Sequence, residues 1–155
     1  MIIQEQISGF GEIDSLKEIF WEAKKLRRAR HPAHVLVVDD DPLTRRVVVG
    51  ALGESHAMIT EESARGGLAS YLMHAPDVVF LDIGLPDIDG FSVLEQILAL
   101  DPDAFIVMFS SHSDTININK AFKSGAKGFV PKPFRKDMLE RYIEGSSVFY
   151  HKSCM

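Results

Sequence analysis

A chain of 155 residues with 46% hydrophobic and 25% charged residues holds the material for one ordinary domain and leaves no room for a second. Its net charge of −5 argues against a general nucleic-acid binder, which would present a basic face, so no direct DNA binding is expected. The lone cysteine, Cys154, excludes an intrachain disulfide, and neither a signal-like N-terminus nor an apolar run of bilayer length is found; the chain reads as cytoplasmic, without a membrane span.

Residues 1–32 are charge-rich and strand-free and read as an N-terminal helical extension. Ser15-Leu16-Lys17-Glu18 has the form of a capping box, and Leu16, Ile19, Phe20, Ala23 and Leu26 then recur at steps of three and four on one face, until Pro32 ends the helix. The basic run from Lys24 to Arg30 reads as a solvated helix end whose cations complement the dipole. Strands are predicted at 34–39, 56–60, 77–82, 104–110 and 128–131, with helices near 42–53, 62–74, 91–99, 114–124 and 135–148. Short apolar runs alternating with helix-like stretches define an α/β domain over 33–150, a doubly wound parallel sheet covered on both faces, with 151–155 as a tail. Asp41-Pro42 places an N-cap and a first-turn proline at the start of the first helix of this domain.

Two of these strands carry acids to one end of the sheet. Val35-Leu36-Val37-Val38 runs into Asp39-Asp40-Asp41, and Val78-Val79-Phe80-Leu81 ends on Asp82. Like charges about 4 Å apart repel by roughly 4 kcal/mol at an effective dielectric of 20, so the cluster calls for a cation. Carboxylates without cysteine or paired histidine suit a hard ion such as Mg²⁺, beside which an aspartate can act as nucleophile toward a phosphoryl group. Ser110 closes the fourth strand and Lys132 the fifth, adding a hydroxyl and an amine that suit the remaining oxygens of a phosphoryl group. His31 and His34, separated by Pro32, are given no role.

In Val37-Val38-Asp39-Asp40-Asp41, Leu81-Asp82-Ile83-Gly84-Leu85-Pro86-Asp87-Ile88-Asp89-Gly90, Ser110 and Lys132-Pro133-Phe134, the chain resembles the response-regulator receiver domain of two-component signalling over residues 34–148. The resemblance implies a flavodoxin-like sheet of order 2-1-3-4-5. It also implies Asp82 as phospho-acceptor, Asp40 as a direct Mg²⁺ ligand, Asp39 as a ligand acting mainly through water, and a metal contact from the backbone carbonyl of Gly84. Ser110 becomes the switch hydroxyl and Lys132 the phosphate-contacting amine, with a cis bond before Pro133. Phe129 stands where many receivers carry a switching tyrosine, and His112, two residues past Ser110, lies where an attacking water would approach, as a modulator of hydrolysis. The partners implied are a histidine kinase or histidine phosphotransfer protein as donor and a downstream protein as target; the domain catalyses only its own phosphorylation and dephosphorylation.

A second reading is a Mg²⁺-dependent phosphohydrolase of the haloacid-dehalogenase kind, with Asp39 as nucleophile. Its D-x-D-x-T pattern meets Leu43 where threonine belongs. A nucleotide binder would need a glycine-rich phosphate loop after the first strand, which is absent. The apolar face of the N-terminal helix has three resting places: the domain's own surface, the same helix of a second chain, or a separate partner. A homodimer through residues 15–30 is the favoured expectation.

Overall fold

The computed structural model describes the backbone of residues 13–27, 31–111 and 115–153, with side chains from Leu16 to Ser147 within those ranges. In chain order the elements are α1 (Ile13–Leu26), β1 (His34–Val38), α2 (Pro42–Leu52), β2 (Ala57–Glu61), α3 (Ala64–His74), β3 (Val78–Asp82), α4 (Gly90–Leu100), β4 (Ile106–Ser110), α5 (Thr115–Lys123), β5 (Gly128–Pro131) and α6 (Lys136–Ser153). The five strands form one parallel sheet in the order β2-β1-β3-β4-β5.

Each predicted strand is present; β1, β3 and β4 are buried on both faces, the condition that produces a continuous apolar run, while the edge strands β2 and β5 are only partly covered. Val35, Val37, Val78, Phe80, Val107, Phe109 and Val130 point to one side, packed with Val48 and Leu52 of α2 and Leu139 and Ile143 of α6. Leu36, Val38, Val79, Leu81, Ile106 and Met108 point to the other, packed with α3, α4 and Ala121 of α5. Asp41 caps α2 by accepting from the Leu43 amide at 3.0 Å, and Ser63 caps α3, fixing the start that Gly66 and Gly67 obscured in the sequence. Gly125, with φ of 102°, turns the chain out of α5. β4 begins two residues later than predicted, because Ala104 closes a turn onto the Asp101 carbonyl. No glycine or proline follows Gly145 to stop α6, which runs through Ser153 and takes up part of the expected tail.

The N-terminal extension differs most from expectation. α1 has begun by Ile13, so Ser15 lies inside the helix and does not cap it. Leu16 and Phe20 are buried against α3 of the same chain, and the Phe20 ring stacks on Tyr71 with centroids 5.9 Å apart. Ile19 and Leu26, assigned to the same face, remain 46% and 63% exposed, because the buried stripe runs through 16, 20, 23 and 27. Of the face assigned to the expected homodimer through residues 15–30, Leu16 and Phe20 are covered within the chain, while Ile19 and Leu26 stay exposed. The solvated basic end holds at Lys25, which is exposed, but not at Arg27, which is only 3% exposed with its guanidinium 3.0 Å from the fully buried carboxylate of Asp101; residues 28–30 of that run lie outside the described residues.

Candidate phosphoryl and metal site

The order of strands reverses direction between β1 and β3, and there the ends of two adjacent strands open a crevice in which doubly wound sheets place their ligands. Asp39 and Asp40 follow β1 and Asp82 ends β3. One carboxylate oxygen from each lies within 4.8 Å of the other two. Asp39 is fully buried, Asp82 nearly so, and Asp40 is exposed.

Asp39 is held at every oxygen. Its Oδ1 accepts from the Asp41 amide at 2.9 Å, its Oδ2 from Lys132 Nζ at 2.6 Å, and its backbone carbonyl from Arg45 Nη1 at 2.7 Å. Lys132 Nζ also lies 3.5 Å from Asp82 Oδ1, so one amine bridges the two buried carboxylates. The backbone supports this placement: Lys132 donates its amide to the Ser110 carbonyl at 2.9 Å, and the peptide bond to Pro133 is cis. Phe134 then stacks on Phe109, which stacks on Phe80, with centroids 4.9 and 5.1 Å apart.

Burial holds the Asp82 carboxyl above the ordinary carboxylate range, and the neighbouring Asp39 and Asp40 charges add to this; Lys132 and a hydrogen bond from the Gly84 amide only partly offset it. For Lys132, burial alone would lower the pKa, but the bond to Asp39 and the charges of Asp82 and Asp39 raise it, and the amine stays charged. Three clustered carboxylates against one ammonium leave an excess of negative charge, and an all-oxygen donor set with one exposed member fits a hard divalent ion such as Mg²⁺. Replacing Asp40 by alanine is expected to weaken Mg²⁺ binding roughly tenfold or more, since ligand loss exceeds the usual outer-shell cost. Because the same change relieves repulsion, the metal-free variant should melt no lower than wild type; calorimetry with and without Mg²⁺ measures both.

Of the residues singled out from sequence, Asp39, Asp40, Asp82 and Lys132 converge in one cluster, and Ser110 ends the adjacent strand with its side chain buried. Gly84 lies beside Asp82 through its amide. Phe129 is half-buried on β5, paired in register with Met108. His112 lies outside the described residues. Sequence reasoning missed two supports. Arg45 holds the Asp39 peptide, and Asp87 accepts from the amides of Ala64 and Arg65 at 2.9 and 3.0 Å, tying the loop after Asp82 to the first turn of α3. Those bonds outweigh desolvation and keep the Asp87 carboxyl below its usual range.

A parallel five-stranded sheet with three acids at its switch point and a lysine across the crevice defines a receiver. The family model described as the response regulator receiver domain matches residues 35–144, and the chain belongs to that family, the signalling receivers of two-component systems. It is 34% identical over 112 residues to the chemotaxis protein CheY of Listeria monocytogenes, covering 71% of this chain and 94% of that protein. Among solved structures, the receiver domain of NtrX from Brucella abortus superposes with a TM-score of 0.69 at 36% identity, covering 73% of this chain and 97% of the other. Against the longer NtrX chain the TM-score is 0.72 and the match spans 29% of that chain. A CheY-like receiver from Methanospirillum hungatei JF-1 gives a TM-score of 0.72 at 25% identity over 77% of this chain and 98% of that one. α1 precedes the matched residues.

Proposed function

We propose that the chain is a phosphorylation-switched signalling module whose acceptor is Asp82, charged by a histidine kinase or histidine phosphotransfer protein and read by a downstream protein. The observation that carries this is the bridging of Asp39 and Asp82 by the Lys132 amine within a cluster of three carboxylates. One Asp82 oxygen attacks the phosphorus of a phosphohistidine. A P–O bond forms as the P–N bond breaks, the bonding pair leaves with the imidazole nitrogen, and that nitrogen takes up a proton. Hydrolysis reverses the loss: water attacks phosphorus, the acyl-oxygen bond to it breaks, and carboxylate and inorganic phosphate return.

Asp39, Asp40, Asp82 and the Gly84 carbonyl are the groups assigned to hold Mg²⁺, which when bound neutralises charge that would repel the incoming phosphate. Lys132 supplies a cation to a phosphoryl oxygen and Ser110 a hydroxyl to another. Phe129 contributes a rotamer change without a hydroxyl bond, and His112 modulates the approach of water. The phosphohydrolase alternative would place the phosphate on Asp39; against it, every oxygen of Asp39 already accepts a bond from the protein, whereas Asp82 shares its lysine. Among the described residues no helix is long and apolar enough to cross a membrane, and the setting proposed for this partner-reading module is the cytoplasm.

Mass spectrometry of the site labelled by acetyl phosphate with Mg²⁺ tests the assignment: label on Asp82 is expected, and label on Asp39 would overturn it. A protein donor must also bring its phosphohistidine to the crevice, and exposed Leu43 and Val47 border a cleft of about 350 Å³ with Lys132, Pro133 and Phe134. Leu43→Glu is expected to slow transfer from a protein donor by roughly tenfold, the equivalent of about 1.4 kcal/mol, while labelling by acetyl phosphate is unchanged. Parallel time courses with the two donors measure the difference.

A further inference from the structure

α1 is tied to the domain at two separate helices. Its Phe20 stacks on Tyr71 of α3, while Lys24 and Arg27 reach Asp101 at the C-terminal cap of α4, at 2.8 and 3.0 Å. The Tyr71 hydroxyl donates to the same Asp101 carboxylate at 2.6 Å. α1 therefore spans the seam between α3 and α4 and fixes their relative position. That seam is poorly satisfied. The buried side-chain amide of Gln96 has no hydrogen-bond partner at either atom, and a cavity of about 10 Å³ lies among Leu68, Tyr71, Leu72 and Ile97 beside it. A buried amide left unpaired costs free energy, so the packing at this seam is less favourable than elsewhere in the core.

The same seam is connected to Asp82 through one short loop. The two ends of that loop meet at Asp82: the Gly90 amide donates to the Ile83 carbonyl at 2.9 Å, and Gly90 sits so close that a Cβ would overlap the Asp82 carbonyl. Between these ends Asp87 grips the first two amides of α3. α3 has little stability of its own to resist a pull there, because Gly66 and Gly67 occupy its first turn.

We infer that α1 is a latch across the α3–α4 seam, and that phosphorylation of Asp82 weakens its hold. The inference rests on the reading of Asp82 as acceptor. Conversion of the free carboxylate to an acyl phosphate places a larger anionic group at the strand end from which the loop springs, and a loop closed by the Gly90 amide on the Ile83 carbonyl at 2.9 Å must shift to admit it. That shift moves the segment that carries Asp87. Asp87 then loosens its grip on α3, Tyr71 shifts relative to Asp101, and the surface that α1 covers becomes available.

Hydrogen exchange on the full chain, with beryllofluoride and Mg²⁺ as the phosphoryl probe, tests the latch. Backbone amides of residues 13–27 should exchange at least about threefold faster with the probe, and the emission of Trp21, the sole tryptophan, should shift as its contacts with Phe20 and Lys24 change. Coupling is reciprocal, so Phe20→Leu, a mild change that loosens α1, should bind beryllofluoride about threefold more tightly than wild type. Fluorine resonance of the bound adduct, with Asp82→Asn as control, separates the two ideas. An adduct that depends on Asp82 together with unchanged or slower exchange of α1 overturns the latch alone, as does unchanged affinity in Phe20→Leu. Absence of any adduct on wild type overturns the acceptor assignment and the latch with it.

Discussion

Asp82→Asn reduces labelling by acetyl phosphate to background, because an amide at this position is neither charged nor a competent nucleophile at neutral pH. The same substitution raises the melting temperature of the metal-free protein. The folded-state pKa of Asp82 lies above its unfolded value, chiefly through burial and then through the Asp39 charge. A group raised in this way stabilises the fold while protonated, below the ordinary carboxylate pKa, and that contribution is lost as pH rises through the folded value. At neutral pH the ionised side chain is thus a destabilising element that asparagine removes. The advantage of the variant should shrink as pH falls toward 4 and invert when Mg²⁺ is added, since only wild type keeps the full ligand set. Thermal melts across pH with and without Mg²⁺ check all three statements; a variant that melts below wild type in metal-free neutral buffer would contradict the electrostatic account of the site.

Arg27→Ala has the largest expected effect on the fold outside that site. Asp101 is fully buried, and although burial favours its neutral form, the Arg27 charge together with bonds from Lys24, Tyr71 and Arg27 holds its carboxyl below the usual range. Removing the buried guanidinium leaves Asp101 balanced only by the partly exposed Lys24, which costs roughly 3 kcal/mol, the lower end for a broken buried pair. For a chain of this size that corresponds to a melting temperature lower by about 6–12 °C. A carboxylate with a lowered pKa stabilises the fold above its unfolded pKa and loses that contribution as pH falls through the folded one, so the wild-type protein gives up this interaction below about pH 4. The gap between wild type and Arg27→Ala should therefore narrow on acidification, and melts from pH 7 to pH 3 measure it.

The sheet was legible because its three central strands are buried on both sides, and a run such as Val78-Val79-Phe80-Leu81 has no other stable place. Element ends were legible where a cap or a polar strand end marks them: Asp41 gave the start of α2 and Asp82 and Ser110 the ends of β3 and β4, while the start of β4 lost two residues to a turn closed on Asp101, which depends on a contact no local pattern records. The strand-end acids and Lys132 were legible as a set, since the alternation of strand and helix brings all strand ends to one edge. The ties that support them were not. Asp87 and α3 are 22 and 23 residues apart in their two bonds, and Arg27 and Asp101 are 74 apart, so each pairing exists only after the sheet has formed. The phase of α1 did hold a signal. Arg27 falls seven residues after Phe20 and eleven after Leu16, on the stripe that buries both, and a cation on an apolar stripe calls for a buried anion.

The three stacked rings of Phe80, Phe109 and Phe134 set the order of events at the lysine. Phe134 is two residues from Lys132 and its ring continues a column that begins inside the sheet, so the backbone carrying the amine shares the stiffness of the core. Under the proposed phosphorylation, a new negative group at Asp82 would be met by rotation about the lysine's own side-chain bonds, which takes picoseconds to nanoseconds, whereas displacement of a packed helix takes microseconds or longer. Charge would then be compensated at the crevice long before any surrounding helix could rearrange, and the phosphorylated protein would first exist with its old outer shape.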